Sequence, residues 1–410
     1  MRVGEPATSI ERSFSLRLPA EGSRWYSFWV AFACVAGVRL FLTVYLAAAA
    51  LLFPQPDLHQ QYGASGVELL DSGWEGLFLG VWQREDALWY EKIATVGYSS
   101  DDMTPQLFPL FPMVVRAIWL FTGIHPVAAG IAVSEASLLA ALYLLHRLLL
   151  PSHGVEVTNR TLVYLSLFPS AFFLHGPFSE SLMLMLAILA FSLVGRQQWV
   201  AAAAVAYLAG LARPQGMLLG APLALRLVAA GRKPSDWRSF GWARSALLRG
   251  AVLTFAPLLG LATFVTLVDT PWNKPGASGG VGPMAHQSLA VPGTALLNAA
   301  QQILAGVAYP IDLFDFVLAI LFLLLTLACL PRLEVGYTVY AALFLVAPLS
   351  RFSPVFPLMS FSRFVLLLFP CFVVLAIWGR RKWVHLTVIF LWLWWLAVWS
   401  FKFYTGYFVG

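Results

Sequence analysis

Runs of about 20 apolar residues follow one another along almost the whole chain, separated by short segments rich in Gly, Pro, Arg or Lys. A run of this length, wound as a helix, spans the roughly 30 Å hydrocarbon core of a bilayer. Only 11% of the 410 residues are charged, against about 25% in soluble domains, so the chain lacks the polar surface that water-soluble domains need. The strands of a membrane barrel would alternate polar and apolar residues instead. The sequence therefore predicts an all-α polytopic membrane protein.

Basic residues orient the predicted helices, because short cytoplasmic segments of membrane proteins are rich in Arg and Lys. The arginine-bearing N-terminus and the segment Arg226–Arg249 serve as two cytoplasmic reference points. Counting from them predicts about eleven transmembrane helices. They lie near 29–52, 127–146, 160–175, 179–194, 198–211, 214–229, 250–268, 313–330, 335–349, 363–378 and 383–402. The expected organisation is a cytoplasmic tail (1–28), one transmembrane domain (29–402) and an outer tail (403–410).

Segment 108–123 does not fit this count, since both of its neighbours are placed outside the membrane. It is short, and it carries Pro109, Pro112 and Arg116. Broken backbone of this kind is tolerated at membrane depth only where protein or water covers it. We expect a re-entrant or interfacial segment. The alternative is that it crosses the membrane while one of the later helices does not.

The segment 53–107 concentrates acidic side chains on the outer side of the membrane. It holds nine acids against Arg84 and Lys92, a net charge of −7, whereas the whole chain carries +6. The acids are Asp57, Glu68, Asp71, Glu75, Glu85, Asp86, Glu91, Asp101 and Asp102. Basic residues lie mainly in short loops elsewhere, as the positive-inside pattern requires. The high pI therefore does not indicate a nucleic-acid partner, and the expected surroundings are a lipid bilayer.

An acidic pair, Glu85 and Asp86, stands among aromatic residues in this outer segment. A carboxylate in such a place can accept the proton of an attacking hydroxyl. The neighbouring Trp89, Tyr90 and Tyr98 can form a wall for a sugar or a lipid. The alternative is an ordinary solvated loop whose aromatic residues anchor it at the membrane surface.

A second candidate group follows Pro169 and Pro177, which interrupt a long apolar run. It consists of His175, Ser179 and Glu180. An ionisable residue at the mouth of a transmembrane helix needs a partner or a cavity, which makes it a functional candidate. The alternative is that Ser179 caps a helix and that the Glu180 carboxylate meets free N–H groups of its first turn.

Three arginines, Arg213, Arg351 and Arg363, are predicted on the outer side, against the positive-inside bias. Phosphate suits the bidentate guanidinium group well, so an anionic ligand explains them. Ion pairs with the outer acids are the alternative. The sequence contains no nucleotide-binding motif and no catalytic-triad pattern, so a transferred group would have to arrive already activated on a lipid.

Five short blocks, in order along the chain, carry a family resemblance. They are Asp86-Ala-Leu-Trp-Tyr90 with Ile93-Ala94 and Gly97-Tyr98, Leu107–Pro112, Phe168-Pro169 with Phe178–Ser181, Arg213–Gly216, and Ser360–Phe364 with Phe369-Pro370. Together they resemble the PIG-V-like family of GPI second-mannose mannosyltransferases and its bacterial relatives, within the GT-C superfamily of membrane glycosyltransferases. One position departs from that family, because Glu85 replaces the tryptophan that usually precedes the aspartate.

The resemblance implies a GT-C-like bundle with a helical first extracytoplasmic loop. It implies transfer of a hexose, typically mannose, from a polyprenyl-phosphate sugar to a glycolipid or glycan acceptor, with inversion, on the outer leaflet. The short loops of the chain favour a bacterial plasma membrane. Asp86, with Glu85 beside it, would be the base, and Arg363, Arg213 or Arg351 would bind the donor phosphate. The acceptor side would comprise Trp89, Tyr90, Tyr98, His175, Ser179 and Glu180.

The resemblance implies no metal and no other cofactor, although Glu85 and Asp86 would suit Mg²⁺ as a pair of carboxylates. Two other functions stay open from the sequence. One is a transporter or flippase of lipid-linked sugars, which would use the same outer arginines without a positioned base. The other is a non-catalytic subunit of a membrane complex.

Overall fold

The fold is known from a computed structural model that describes residues 20–53, 65–99, 102–230, 240–268, 288–353 and 355–407. Parts of the two predicted tails, 1–19 and 408–410, lie outside the described residues, as do the acids Asp57 and Asp101. Within the described ranges most of the chain is helical and only two strands of two residues each occur, which confirms the predicted all-α class.

Sixteen α-helices are described. The first eight are α1 (Arg24–Leu52), α2 (Gly73–Phe78), α3 (Asp86–Thr95), α4 (Leu110–Thr122), α5 (Pro126–Ser166), α6 (Phe172–His175), α7 (Glu180–Gly195) and α8 (Trp199–Ala212). The others are α9 (Gly220–Ala230), α10 (Phe240–Leu267), α11 (Thr294–Leu304), α12 (Pro310–Cys329), α13 (Val335–Leu349), α14 (Phe361–Phe364), α15 (Phe369–Trp378) and α16 (Lys382–Tyr404). Two short strands, β1 (Ser288–Leu289) and β2 (Arg351–Phe352), pair antiparallel.

Several of these helices are long and apolar enough to cross a membrane. In the described part of the chain there are five: α1, α5, α10 over Ser245–Leu267, α12 and α16. A sixth results if α14 and α15, bent by 81° across a short break, count as one span. Helices α4, α7, α8 and α13 are apolar but shorter. The membrane character is therefore supported, whereas the count of eleven crossings stays a prediction.

Helix α5 folds back on itself at Gly154, whose dihedral angles (φ 77°, ψ 171°) are not helical. His146 Nε2 and Asn159 Oδ1 lie 3.0 Å apart, although 13 residues of straight helix would separate them by about 20 Å. This bend replaces the loop expected between the helices predicted at 127–146 and 160–175. The second of those helices ends at Ser166 rather than at 175, because Pro169 cannot continue its hydrogen-bond ladder.

The chain between α5 and α7 is mostly irregular, and every residue of 168–179 is buried. We call this segment the buried link. Irregular backbone at membrane depth must have its polar groups satisfied by protein. Ser134 Oγ donates to the carbonyl of Phe178 (3.0 Å), and Ser181 Oγ donates to that of Leu174 (2.6 Å). The buried link thereby carries Ser179 and Glu180 into the interior of the helix bundle.

Helices α1 and α16 run in the same direction. At one end, the Tyr404 hydroxyl donates to the carbonyl of Phe53 (3.0 Å). At the other end, α5 joins both helix starts: Arg147 Nη1 donates to the carbonyl of Gly22 (3.0 Å), and the Tyr164 hydroxyl lies 2.9 Å from His385 Nδ1. A common direction for the first and last long helices agrees with an odd number of crossings.

Candidate functional site

Segments that are far apart in the sequence bring five ionisable side chains into one charge cluster: Glu85, Asp86, Glu180, Arg213 and Arg363. The guanidinium of Arg363 lies at its centre. Its Nε donates to Glu180 Oε1 at 2.8 Å, and its Nη2 lies 2.7 Å from the same oxygen and 2.8 Å from Asp86 Oδ2. Glu85 Oε2 lies 3.8 Å from Nη1. The predicted base and the predicted phosphate ligand are therefore in direct contact.

Arg213 joins the cluster from the end of α8. Its Nη1 lies 2.7 Å from Glu180 Oε1 and donates to Ser179 Oγ at 3.0 Å. Ser179 Oγ is also 2.8 Å from the Tyr90 hydroxyl. Ser179 does occupy the N-cap position of α7, but its side chain makes no capping hydrogen bond. The Ser179 hydroxyl therefore contacts Arg213 and Tyr90 instead of capping the helix.

Burial is unequal among the five members. Glu180 is fully buried and the Arg363 side chain is 4% exposed, whereas the Asp86 side chain is 21% exposed. Three acids and two arginines leave the cluster with a net charge of −1. Buried charges persist when they are paired. Arg363 does pair with two acids of segment 53–107, Glu85 and Asp86. The ion pair of Arg213 is with Glu180, which lies outside that segment. Asp86 is the most exposed member of the cluster.

Aromatic rings complete the walls of the charge cluster. The Arg363 guanidinium carbon lies 4.3 Å from the ring centre of Phe173 and 5.4 Å from that of Phe178, both on the buried link. The Tyr90 ring, whose hydroxyl contacts Ser179, meets the Phe111 ring edge to face at 5.0 Å. The two cation–π contacts with Phe173 and Phe178 place the guanidinium in a low-dielectric setting.

Gln83 fixes the turn that presents Glu85 and Asp86. Its amide accepts a hydrogen bond from the backbone N–H of Leu70 (2.7 Å) and donates to the carbonyl of Glu68 (3.0 Å) and to Glu91 Oε2 (2.9 Å). Glu85 itself has φ +50° and ψ −129°, a conformation that is costly for a residue with a side chain. Such backbone strain persists only where the surroundings over-determine it, and it is concentrated at functional sites.

The other predicted site residues make their contacts elsewhere. Trp89 is half-buried, with the Lys92 ammonium 5.7 Å from its ring centre. The Tyr98 hydroxyl donates to the carbonyl of Leu107 (3.0 Å). The Arg351 guanidinium carbon lies 5.5 Å from the ring centre of Phe364, the residue after Arg363. The binding roles of these three residues stay predictions.

His175 belongs to a second polar group on the buried link. It is fully buried, and its Nδ1 lies 2.9 Å from Glu135 Oε1. Arg39 pairs with the same Glu135 oxygen at 3.5 Å and donates to the carbonyl of His175 at 3.1 Å. His175 is therefore tied to α1 and α5, and its predicted contact with an acceptor stays a prediction.

Glu91, on the inner side of α3, is an acid with a perturbed pKa. Burial raises the pKa of Glu91 from the usual 4.5 to about 7, and the hydrogen bond from Gln83 only partly opposes this. His125 Nε2 lies 3.7 Å from Glu91 Oε1. Because His125 Nδ1 accepts the N–H of Val127 (3.2 Å), Nε2 carries the proton of the neutral ring.

Two further acids, Asp315 and Glu135, are not among the site residues predicted from the sequence. Asp315 lies within α12, is 2% exposed, and accepts the backbone N–H of Ser362 on Oδ1 at 3.2 Å. The signal was present in both cases, because an ionisable residue inside an apolar run is a functional candidate by default.

No group of three or more His, Cys, Asp and Glu side chains is placed to hold a metal ion in the described ranges. The Mg²⁺ alternative at Glu85 and Asp86 stays a prediction.

Comparison with known proteins adds no assignment. No protein-family model matches the chain, and no curated protein matches it.

Proposed function

We propose that this protein is a membrane glycosyltransferase that moves a hexose, mannose in the first place, from a polyprenyl-phosphate sugar to a lipid-linked or glycan acceptor on the extracytoplasmic face. The observation that carries the proposal is the convergence of Asp86, Glu180, Arg213 and Arg363 in one cluster. Each comes from a different block of the resemblance to the PIG-V-like family. The remaining block supplies Phe111, which packs on Tyr90.

Asp86 is the base in this proposal, because it is the most exposed carboxylate of the cluster. The acceptor hydroxyl oxygen forms a bond to the anomeric carbon while its proton passes to Asp86. The bond from the anomeric carbon to the phosphate oxygen breaks, and its electron pair leaves with the lipid phosphate. One displacement inverts the configuration. A positioned base of this kind contributes roughly 10² to 10⁴ in rate.

Arg363 binds the donor phosphate and stabilises the charge that grows on it as it leaves. A phosphate reaches this guanidinium from the side of Asp86, so it competes with Asp86 for Nη2. Binding of the donor would thus release the carboxylate that the reaction uses. Glu180 keeps its hydrogen bond to Nε and holds the guanidinium in place, while Arg213 and the nearby Arg351 add positive charge.

The proposed enzyme crosses the bacterial plasma membrane about eleven times, with α3 in the outer loop. Five or six described helices meet the length that a crossing needs. The second arm of α5, the shorter apolar helices α7, α8 and α13, and α9 with the turn that precedes it would supply the rest. Segment 108–123 contributes α4, a helix of 13 residues that begins directly after Pro109, and we assign it an interfacial or re-entrant position.

The test is transfer of labelled sugar from polyprenyl-phosphate mannose to extracted membrane glycolipids by the purified full chain in detergent. We expect transfer by the wild type and a loss of at least about 100-fold in Asp86→Asn. Asp102→Asn is the matched control, because Asp102 is also an ion-paired aspartate of the outer segment, with Lys92 Nζ at 2.9 Å. We expect it to keep its activity.

An Asp86→Asn variant as fast as the wild type would disprove the base assignment. Movement of the lipid-linked sugar across vesicles without any transfer would establish the transporter alternative instead.

A further inference from the structure

Asp315 is an acid within the apolar helix α12, and it contacts the backbone directly before Arg363. Its side chain is nearly inaccessible, and its Oδ1 accepts the N–H of Ser362 at 3.2 Å. A carboxyl group inside an apolar transmembrane helix is costly to bury. The contact of Asp315 with Ser362 offers a reason for a carboxyl group at this place, because Ser362 directly precedes Arg363, the central arginine of the charge cluster.

The same backbone is held from a second direction. Ser170 Oγ, on the buried link, donates to the carbonyl of Ser362 at 2.7 Å. Two buried side chains from two different elements thus occupy both the N–H and the C=O of Ser362. Together they restrict the position of the chain from which the Arg363 side chain departs.

Helix α14 needs such support, because it cannot be rigid by itself. It has four residues, Phe361–Phe364, and a helix this short lies far below the length that is stable alone. The chain enters it through Ser360 with φ +64°, a left-handed conformation that is uncommon outside glycine. Shortly afterwards the chain bends by 81° into α15.

We propose that Asp315, assisted by Ser170, is a positioning residue that sets the place of the Arg363 guanidinium between Glu180 and Asp86. Its consequence for transfer rests on the proposed function, whereas its effect on Arg363 does not. Misplacement of a catalytic group by about 1 Å costs on the order of 100-fold in rate.

Three variants isolate the Asp315 contact. Asp315→Asn keeps an acceptor oxygen and the side-chain volume, whereas Asp315→Ala removes the acceptor. Asp312→Ala is the matched control, since Asp312 lies one turn earlier on α12 and is equally buried. Its Oδ2 accepts the N–H of Tyr309 (2.8 Å) at the start of its own helix, so its loss does not touch α14.

The first measurement is the ¹⁵N–¹H signal of the Arg363 Nε–H in the full chain in detergent, assigned by its loss in Arg363→Lys. This group donates to Glu180 Oε1, so its shift reports the position of the guanidinium without any need for activity. We expect the signal to move in Asp315→Ala and in Ser170→Ala, and to stay in Asp315→Asn and Asp312→Ala. Ser170→Ala keeps the test decisive if Asp315→Ala does not fold.

The second measurement is sugar transfer. We expect kcat to fall about 100-fold in Asp315→Ala and to stay close to the wild-type value in Asp315→Asn and Asp312→Ala. If the Arg363 signal moves as expected but the wild type transfers no sugar, the positioning role stands and the proposed function fails. If Asp315→Ala and Ser170→Ala both leave the Arg363 signal unmoved, the positioning role is overturned.

Discussion

Glu180 and Asp86 both pair with Arg363, but their burial gives them different roles. Glu180 is fully buried against two arginines, so Glu180→Gln leaves two buried guanidinium groups without their shared anion. Breaking a buried ion pair in this way costs about 3–5 kcal/mol of folding free energy. We expect a loss of this size in the free energy of unfolding, measured by titrating SDS into mixed micelles that contain the protein. Asp86→Asn should cost less than about 1 kcal/mol, because Asp86 is partly exposed.

Glu156→Gln is the control for this prediction. It removes the same charge from an ion pair with Arg160 (2.6 Å), but the Glu156 side chain is 70% exposed, so the expected cost is below about 0.5 kcal/mol. Equal costs for Glu180→Gln and Glu156→Gln would contradict the assigned role of Glu180.

The raised pKa of Glu91 predicts a pH-dependent stability. The folded state binds the Glu91 proton more tightly than the unfolded state does, so this contribution to stability is complete below about pH 4.5 and is lost as the pH rises to about 7. Glu91→Gln removes the titration. At pH 8 the variant should exceed the wild type by at most about 3 kcal/mol, and at pH 4.5 the two should be equal.

Thermal unfolding between pH 4.5 and pH 8 measures this difference. Glu75→Gln is the control for the charge change, since Glu75 is an exposed acid on α2 of the same outer segment. A Glu91→Gln variant with the same pH dependence as the wild type would refute the prediction.

Individual site residues were predictable to the extent that their chemistry is unusual for their location. Asp86 and Arg363 stand out in the sequence because few charges occur in so apolar a chain. Their mutual contact at 2.8 Å was not predictable, because it depends on how α3 and α14 pack. Asp315 was not predicted for a different reason. Its partner is the backbone N–H of Ser362, and the pattern of side chains in a sequence does not predict a backbone partner.

At the scale of the elements, the bend of α5 depends on one glycine. A Cβ at Gly154 would meet nothing within 4 Å, and the same holds at Gly37 within α1. The two positions differ in backbone, since Gly154 has φ 77° and ψ 171°, a region that is almost confined to glycine. We expect Gly154→Ala to lower stability by about 1–3 kcal/mol. Gly37→Ala should raise it by about 0.5–1 kcal/mol, because alanine favours the helix.

Thermal unfolding of both variants in detergent separates backbone strain from steric clash. Stabilisation by Gly154→Ala would mean that the backbone at 154 readily becomes helical, which would contradict the fold-back of α5.

Most helices were predictable from apolar runs, and the differences occur where a run continues but the helix stops. The predicted helix at 160–175 extended through Pro169 because its neighbours are uniformly apolar. In the structure this part is the buried link, whose carbonyls accept hydrogen bonds from side chains of α1, α5 and α7. An apolar run is expected both where a segment faces lipid and where it is buried in protein. Hydropathy therefore cannot distinguish a transmembrane helix from a loop that protein covers.

At the scale of the whole molecule, charge separates the two ends of the bundle. Arg380, Arg381 and Lys382 precede α16, at the end where α5 meets the start of α1. The opposite end of α16 meets Phe53, where the acidic outer segment begins. The positive-inside rule predicts that the basic end lies in the cytoplasm, so we expect the charge cluster to be accessible to substrates outside the cell.

Single cysteines in a cysteine-free background test this orientation with a membrane-impermeant maleimide. We expect Glu75→Cys on α2 and Thr405→Cys after α16 to react in intact cells. Arg381→Cys should react only after permeabilisation, because it marks the basic end. Glu75 and Arg381 are both exposed, so a difference between them reports sidedness rather than burial. Labelling of Arg381→Cys in intact cells would reverse the orientation and place the charge cluster on the cytoplasmic side, where an outer-leaflet sugar donor could not reach it.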